Sequence, residues 1–268
     1  MPKDAIIIGM PRSGTSMVTS IFAKNGFFLA ENESKELRAG DEFNPSGYWE
    51  AQDLIDANDE ILSRAGYKPD NTWLYEPIKQ EMAKKILELS PTAEHRRLVE
   101  KYNNYHPWVW KDPRLCYTIG YWWPLLHREN TRIILLKRDS NEIYNSFVRL
   151  KWRENNASSK KDVFQRIQDH LESAKIAIEK YNIPVLEVSY SDFGTQAKET
   201  SQRVSEFFGI SLETDDLGFD TSLNTSNLRG RVMKIADAIA DFLPDTLRKF
   251  IKKMIPKFLL KIIFPNRY

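Results

Sequence analysis

The feature that most constrains the fold is a buried-strand pattern followed at once by a glycine-rich loop and a helical pattern. Residues 5–8 (Ala-Ile-Ile-Ile) are a short, mostly β-branched run, which predicts a strand covered on both faces, as in parallel sheets. Four residues separate the glycines Gly9 and Gly14, and apolar residues then recur at helical spacing over 17–22. Such a loop directs backbone N–H groups and a helix N-terminus at an anion. We therefore predict a phosphate-binding loop, and its candidate residues are Pro11, Arg12, Ser13, Gly14, Thr15 and Ser16.

The residue after the second glycine disfavours one class of enzyme. Nucleoside triphosphatases with such a loop place a lysine there, which reaches the β- and γ-phosphates. Here that residue is Thr15, and the positive charge comes earlier, at Arg12. The loop is therefore suited to bind phosphate, but it lacks the lysine of an ATPase, and a small-molecule kinase is disfavoured.

Alternating strand and helix patterns predict the fold class. Further strand patterns occupy 108–110, 132–136 and 184–188, and helical patterns occupy 142–153, 161–180 and 196–208. This alternation predicts a three-layer α/β fold with a central, mostly parallel sheet. Polar residues follow each strand, at the edge where ligands of open α/β sheets bind. We expect residues 40–106, with helical patterns at 50–64 and 82–89, to form a cap beside that edge.

Composition excludes several classes. The formal net charge is only +2, which argues against a nucleic-acid-binding protein. Cys116 is the only cysteine, so the sequence offers neither an intrachain disulfide nor a cysteine-rich zinc site. The four histidines show no ligand spacing, and we expect no metal site. The 41% hydrophobic content predicts a folded chain.

Residues 237–268 differ in composition from the rest of the chain. Between 245 and 268 there are seven cations and one anion, and apolar residues recur at helical spacing among the lysines. We predict a basic amphipathic helical segment, whose residues 247–264 either contact a membrane surface, pack on the body, or form an oligomer contact. No apolar run reaches the ~20 residues of a membrane span. We expect a cytoplasmic protein, with peripheral membrane association as the alternative.

Several stretches resemble sulfotransferases that use 3′-phosphoadenosine 5′-phosphosulfate (PAPS). The loop at 11–16 resembles their 5′-phosphosulfate loop and, with Arg12, is more similar to that of tyrosylprotein sulfotransferases and their bacterial relatives than to that of cytosolic small-molecule sulfotransferases. Residues 44–50 and Lys111-Asp112-Pro113 resemble bacterial sulfotransferase-domain proteins. The resemblance implies a P-loop NTPase-like fold for a domain at 1–236. It also implies sulfuryl transfer from PAPS to an acceptor hydroxyl, which releases adenosine 3′,5′-bisphosphate (PAP).

The resemblance also implies nucleotide-binding residues. Arg138 and Ser146, eight residues apart, are similar to the arginine and serine that share the 3′-phosphate in the family. Tyr190 resembles a strand-end tyrosine near the nucleotide. The late segment Arg229-Gly230-Arg231 resembles one that closes on the 3′-phosphate, with its arginines in a different order.

Sulfuryl transfer requires cations at the leaving group and a base for the acceptor hydroxyl. We predict Arg12 and Lys111 as the cations. Glu50 is the preferred base, because burial by Tyr48 and Trp49 is expected to raise its pKa. Glu33, which lies 21 residues after Arg12, is the rival by comparison with tyrosylprotein sulfotransferases.

Other assignments stay open at the level of the sequence. His106 is a third candidate base, and Asp112 and Arg114 are expected to pair and hold their loop. The acceptor is a glycan, a lipid head group or a small metabolite with a hydroxyl. The alternative function is a P-loop nucleotide-binding or membrane-associated interaction protein without transfer activity.

Overall fold

A four-stranded parallel sheet lies at the centre of the residues that the computed structural model describes, which are 1–40, 44, 47–67, 78 and 80–219. Its strands are β1 (Asp4–Ile8), β2 (Val109–Lys111), β3 (Thr131–Lys137) and β4 (Val185–Ser189). They follow the order β2-β1-β3-β4, and every pair is parallel. In register, Ile7 lies beside both Lys111 and Ile134.

Helices connect and cover the strands. In chain order they are α1 (Thr15–Lys24), α2 (Glu33–Glu36), α3 (Gln52–Arg64), α4 (Gln80–Glu88), α5 (Ala93–Asn103), α6 (Leu115–Trp122), α7 (Ser140–Arg149), α8 (Ala157–Tyr181), α9 (Asp192–Thr195) and α10 (Ala197–Phe208). None of the helices in the described part of the chain combines the length and hydropathy that a bilayer crossing requires.

Apolar residues on both faces of the sheet explain its three layers. Ile6 and Ile8 of β1 face a core completed by α3–α6 and α8, whereas Ala5 and Ile7 face α1 and α10. All four side chains are fully buried. A strand buried on both sides suits a parallel sheet with helices on each face, so the local pattern of β1 agrees with its central position.

The predicted fold class is confirmed at the level of elements. Both ends of each of the four predicted strands lie within one residue of the ends of an observed strand. The pattern at 142–153 overran the observed helix, which ends at Arg149, and four of the helices named above, α2, α5, α6 and α9, were not predicted. The predicted segment at 237–268 lies outside the described residues.

The strand order indicates where along the edge of the sheet a ligand is expected to bind. The chain runs from β1 to β2 on one side and then returns to β3 on the other side of β1. At such a reversal the loops after the two central strands diverge to opposite faces and leave a crevice at the carboxyl edge. Here those loops begin at Gly9 and Arg138.

Candidate functional site

The loop after β1 depends on its glycines for close approach to the neighbouring strand. A Cβ atom on Gly9 would lie 2.7 Å from the carbonyl oxygen of Leu136 and 2.9 Å from Oγ of Ser13. Arg12 has a positive φ of 71° and Gly14 one of 98°. Only glycine adopts the second conformation without strain, and the strained arginine lies at a position predicted to be functional. The loop therefore packs tightly on the end of β3.

The loop offers donors to an anion. Helix α1 begins at Thr15 with Gly14 as its N-cap, and no side chain caps its first turn. The hydroxyl of Ser13 is buried and has no hydrogen-bond partner within the described residues. Helix N-termini attract anions, and a buried unsatisfied hydroxyl is costly unless a ligand completes it. These groups fit a phosphate or sulfate oxygen.

Two arginines and a serine meet beside this loop. Nε of Arg12 donates a hydrogen bond to Oγ of Ser146 on α7, at 3.1 Å. Nη1 of Arg138, which directly follows β3, donates to the carbonyl oxygen of Arg12 at 3.0 Å. The structure therefore brings Arg12 together with two residues that lie 126 and 134 positions later in the sequence.

Arg149 adds a positive charge that the sequence analysis missed. Its Nη2 donates to Oγ of Ser146 at 3.4 Å. Desolvation, and next the charge of Arg138, lower the pKa of Arg149. The spacing of Arg149, three residues after Ser146, places both on one side of α7 and was the available signal.

Tyr190 covers the loop from the end of β4. The guanidinium carbon of Arg138 lies 4.2 Å from the centroid of the Tyr190 ring. A Cβ atom on Gly14 would lie 2.2 Å from Cδ2 of the same ring. The tyrosine thus packs between the loop and the arginine, and its predicted place near the nucleotide stays a prediction.

A second polar cluster lies at the other end of the loop, around Lys111. The ammonium of Lys111 forms a buried ion pair with Oε1 of Glu50. It also donates to the carbonyl oxygen of Tyr48 at 3.1 Å, and to Oγ of Ser16 at 3.5 Å. Ser16 donates to the same Tyr48 carbonyl at 3.2 Å. The segment at 48–50 is therefore tied to both α1 and β2.

The expected rise in the pKa of Glu50 is wrong. Burial by itself acts to raise that pKa, but the positive charges and hydrogen bonds of Lys111 and Arg38 outweigh it and lower the pKa below its usual value. Nη1 of Arg38 lies 3.2 Å from Oε2 of Glu50. Glu50 is thus an ionised carboxylate held by two cations, and no local sequence pattern marks Arg38 as one of them.

The two rival bases lie in different surroundings. Glu33 is exposed in the first turn of α2, and its carboxylate makes no hydrogen bond or ion pair with any described residue. His106 is bonded through Nδ1 to Asp4 at 2.7 Å, at the amino end of β1. That strand spans about 13 Å, so His106 lies away from the carboxyl edge of the sheet, where the loop and Lys111 are.

The predicted pairing of Asp112 with Arg114 is confirmed. Nη1 of Arg114 lies 3.0 Å from Oδ1 of Asp112. Nδ2 of Asn58, on α3, donates to Oδ2 of the same aspartate at 3.0 Å. These bonds fix the turn after β2 and so the position of Lys111. The candidates Arg229, Gly230 and Arg231 lie outside the described residues.

Comparisons with known proteins indicate the family of the chain. A model of the sulfotransferase family matches residues 4–215. Among solved structures, the chain is similar to a sulfotransferase domain from the curacin biosynthetic pathway (15% identity, TM-score 0.49, covering 85% of this chain and 81% of that one). It is also similar to sulfotransferase STF1 from Mycobacterium tuberculosis H37Rv (14% identity, TM-score 0.47, covering 81% of this chain and 70% of that one). A third similar structure is the sulfotransferase domain of the Synechococcus PCC 7002 olefin synthase (13% identity, TM-score 0.41, covering 80% of this chain and 75% of that one). No curated protein sequence matches the chain.

Proposed function

The chain belongs to the sulfotransferase family, and we propose that it transfers a sulfuryl group from PAPS to an acceptor hydroxyl and releases PAP. Family membership confirms the resemblance and implies a transferase with a P-loop NTPase-like fold. The observation that best supports PAPS as the donor is the cluster of Arg12, Arg138 and Ser146 beside the loop. A donor with phosphates on both its 5′ and 3′ sides suits a second cationic site next to a phosphate loop.

Each end of the donor has candidate binding groups. We assign the 5′-phosphosulfate to the loop, including Pro11, the Ser13 hydroxyl and the start of α1 at Thr15 and Ser16. We assign the 3′-phosphate to Arg138 and Ser146, with Arg229, Gly230 and Arg231 as further candidates. Tyr190 is assigned to the nucleotide. The absence of a lysine at Thr15 argues against a kinase as an alternative.

The proposed reaction is an in-line displacement at sulfur. The donor supplies the sulfuryl group, whose bond to the bridging phosphate oxygen breaks, with its electron pair left on phosphate, as the acceptor oxygen bonds to sulfur. Arg12 and Lys111 stabilise the negative charge that develops on the leaving phosphate. The acceptor hydroxyl gives its proton to Glu50, so atoms and charge balance.

Glu50 is suited to act as the base because its carboxylate is ionised and because it contacts Lys111, which also contacts the loop. Its lowered pKa keeps the carboxylate deprotonated at neutral pH, as a proton acceptor requires. Lys111 contacts both Glu50 and Ser16 of the loop, so the leaving-group side and the acceptor side share one residue. Glu33 remains the rival base, because its position in a four-residue exposed helix leaves it free to face an acceptor.

The acceptor is proposed only as a class. Glycans, lipid head groups and small hydroxyl metabolites all remain candidates, with residues 40–106 as the proposed acceptor region. We retain membrane-surface contact through 247–264 and an oligomer as proposals. The alternative function, a nucleotide-binding protein without transfer, has no observation in its favour.

A transfer assay tests the proposal. Radiolabelled PAPS would be incubated with the protein and a panel of glycans, lipids and small hydroxyl compounds, with and without anionic vesicles. We expect label on at least one acceptor and equimolar PAP. Tight PAP binding with no transfer across the panel would instead support the binding protein.

A further inference from the structure

Glu50 is held from two sides by cations that differ in exposure. Lys111, on the inner side, has a side chain only 3% exposed, whereas the side chain of Arg38 is 47% exposed. Lys111 bonds Oε1 of the carboxylate, and Arg38 bonds Oε2. A ligand arriving from solvent therefore meets Arg38 before it meets Lys111.

The backbone keeps Arg38 beside the carboxylate. Its N–H donates to the carbonyl oxygen of Glu50 at 2.9 Å, and an isolated antiparallel bridge pairs Leu37 with Ala51. The guanidinium carbon lies 4.1 Å from the centroid of the Tyr48 ring. An arginine stacked on an aromatic ring keeps its charged edge available to a planar anion. Arg38 is thus presented beside Glu50 by main-chain bonds rather than by the ion pair alone.

We propose that Arg38 binds an anionic group of the acceptor, so that the preferred acceptors carry a carboxylate, sulfate or phosphate close to the hydroxyl that reacts. The inference rests on the proposed function, with Glu50 as the base. An anion on the acceptor is a new partner for the guanidinium, and Arg38 then gives up part of its bond to Oε2. The freed oxygen faces the acceptor and accepts its proton.

Recognition of the anion also makes Glu50 a stronger base. Three cations interact electrostatically with Glu50: Lys111 from β2, Arg38 from the segment after α2, and Arg114. Arg114 is itself paired with Asp112 and Asp59. When an acceptor neutralises Arg38, one of the charges that lower the pKa of Glu50 is offset. The carboxylate remains beside Lys111, so it stays ionised at neutral pH but binds a proton more readily.

Binding of two matched probes to the PAP-saturated protein tests this directly. 4-Hydroxybenzoate and 4-hydroxybenzamide have nearly the same shape and differ in charge, and calorimetry would measure both. We expect the benzoate to bind more tightly than the amide, and Arg38→Gln to weaken the benzoate about tenfold while the amide is unchanged. Arg128→Gln, which removes an exposed arginine shortly before β3 and outside the proposed acceptor region, is the control and should change neither affinity.

The proposal is overturned if 4-hydroxybenzoate does not bind, if it binds no more tightly than the amide, or if Arg38→Gln leaves its affinity unchanged. PAP affinity is measured in the same experiment. If PAP itself fails to bind, the proposed function fails; if PAP binds normally and the benzoate shows no preference, only the inference about Arg38 fails.

A second readout separates recognition from a purely structural role. The titration of Glu50 can be followed by carbon NMR of 13C-glutamate, with its signal assigned through Glu50→Gln. We expect saturating benzoate to raise the pKa of Glu50 in the wild type, and Arg38→Gln to raise it without benzoate. Arg38→Lys should restore most of the lower value. A Glu50 titration that is the same in all three proteins contradicts the proposal.

Discussion

Lys111, the last residue of β2, forms a buried ion pair with Glu50, and the side chains of both are 3% exposed. The pair joins the candidate leaving-group cation to the candidate base. The same ammonium also bonds the Tyr48 carbonyl, which accepts from Ser16 as well. Substitutions in this cluster therefore act on both the chemistry and the position of the segment at 48–50.

Removal of the Glu50 carboxylate is expected to lower turnover while the donor still binds. Glu50→Gln keeps the size of the side chain but loses the proton acceptor, so we expect turnover to fall about 10²- to 10⁴-fold. Initial rates with labelled PAPS and the best acceptor measure the loss, and calorimetry checks that PAP binds.

Glu33→Gln is the matched control for this prediction. Its side chain is exposed and has no partner among the described residues, so we expect turnover close to the wild type. If Glu33→Gln loses turnover and Glu50→Gln does not, Glu33 is the base and the assignment of Glu50 is wrong.

The ion pair also predicts how stability depends on pH. The folded state lowers the pKa of Glu50 below its usual value of 4.5, so Glu50 contributes stability above that pH. The contribution is lost as the pH falls through the folded-state pKa. We expect Glu50→Gln to cost about 3 kcal/mol at pH 7, because Lys111 is left buried without its counter-charge.

Urea denaturation of the wild type and Glu50→Gln, from neutral to acid pH, measures this difference. The gap between the two proteins should shrink as the pH falls below 4.5. A gap that is constant with pH would mean that the carboxylate does not contribute through its charge.

Arg138 is expected to discriminate between nucleotides by their 3′-phosphate. Arg138→Gln should lower the affinity for PAP by about tenfold or more, because a charge-assisted hydrogen bond to phosphate is lost. The affinity for adenosine 5′-phosphate should fall much less. Calorimetric titration of both nucleotides into both proteins gives the comparison, and equal losses would show that Arg138 does not hold the 3′-phosphate.

Gly14 is expected to tolerate no side chain. An alanine there would be strained at a φ of 98°, and its Cβ would lie 2.2 Å from the Tyr190 ring. We expect Gly14→Ala to cost about 2 kcal/mol of unfolding free energy and to weaken PAP by displacing Tyr190. Gly26, also at positive φ but with open space around it, is the control.

Gly26→Ala should cost only the backbone strain and leave PAP affinity unchanged. Thermal unfolding and PAP titration of both variants separate the two effects. Equal effects on PAP binding would show that contact with Tyr190 is not what makes Gly14 important.

The sequence predicted what depends on local pattern. β1 is recognisable because a strand buried on both faces consists almost wholly of apolar residues, and the loop because its glycines must allow close backbone approach. Tyr190, Lys111 and Arg138 could be placed at one edge because each lies at or directly after the carboxyl end of a strand, and the carboxyl ends of parallel strands share one edge.

What the sequence did not predict depends on tertiary contacts. The pKa of Glu50 was expected to rise with burial, but two cations distant in the sequence reverse its direction. Arg38 has no local pattern that sets it apart from a surface arginine, and Arg149 is marked only by its spacing of three residues from Ser146. His106 lies shortly before β2 and bonds Asp4 at the start of β1, so it lies at the amino edge of the sheet.

The most direct test of the central claim is thermal unfolding with nucleotides. We predict that PAP raises the melting temperature by several degrees at saturating concentration, because it binds the folded state across the loop and the 3′-phosphate residues. ATP with magnesium should raise it little. A larger increase with ATP and magnesium than with PAP would contradict the proposal that this protein uses PAPS.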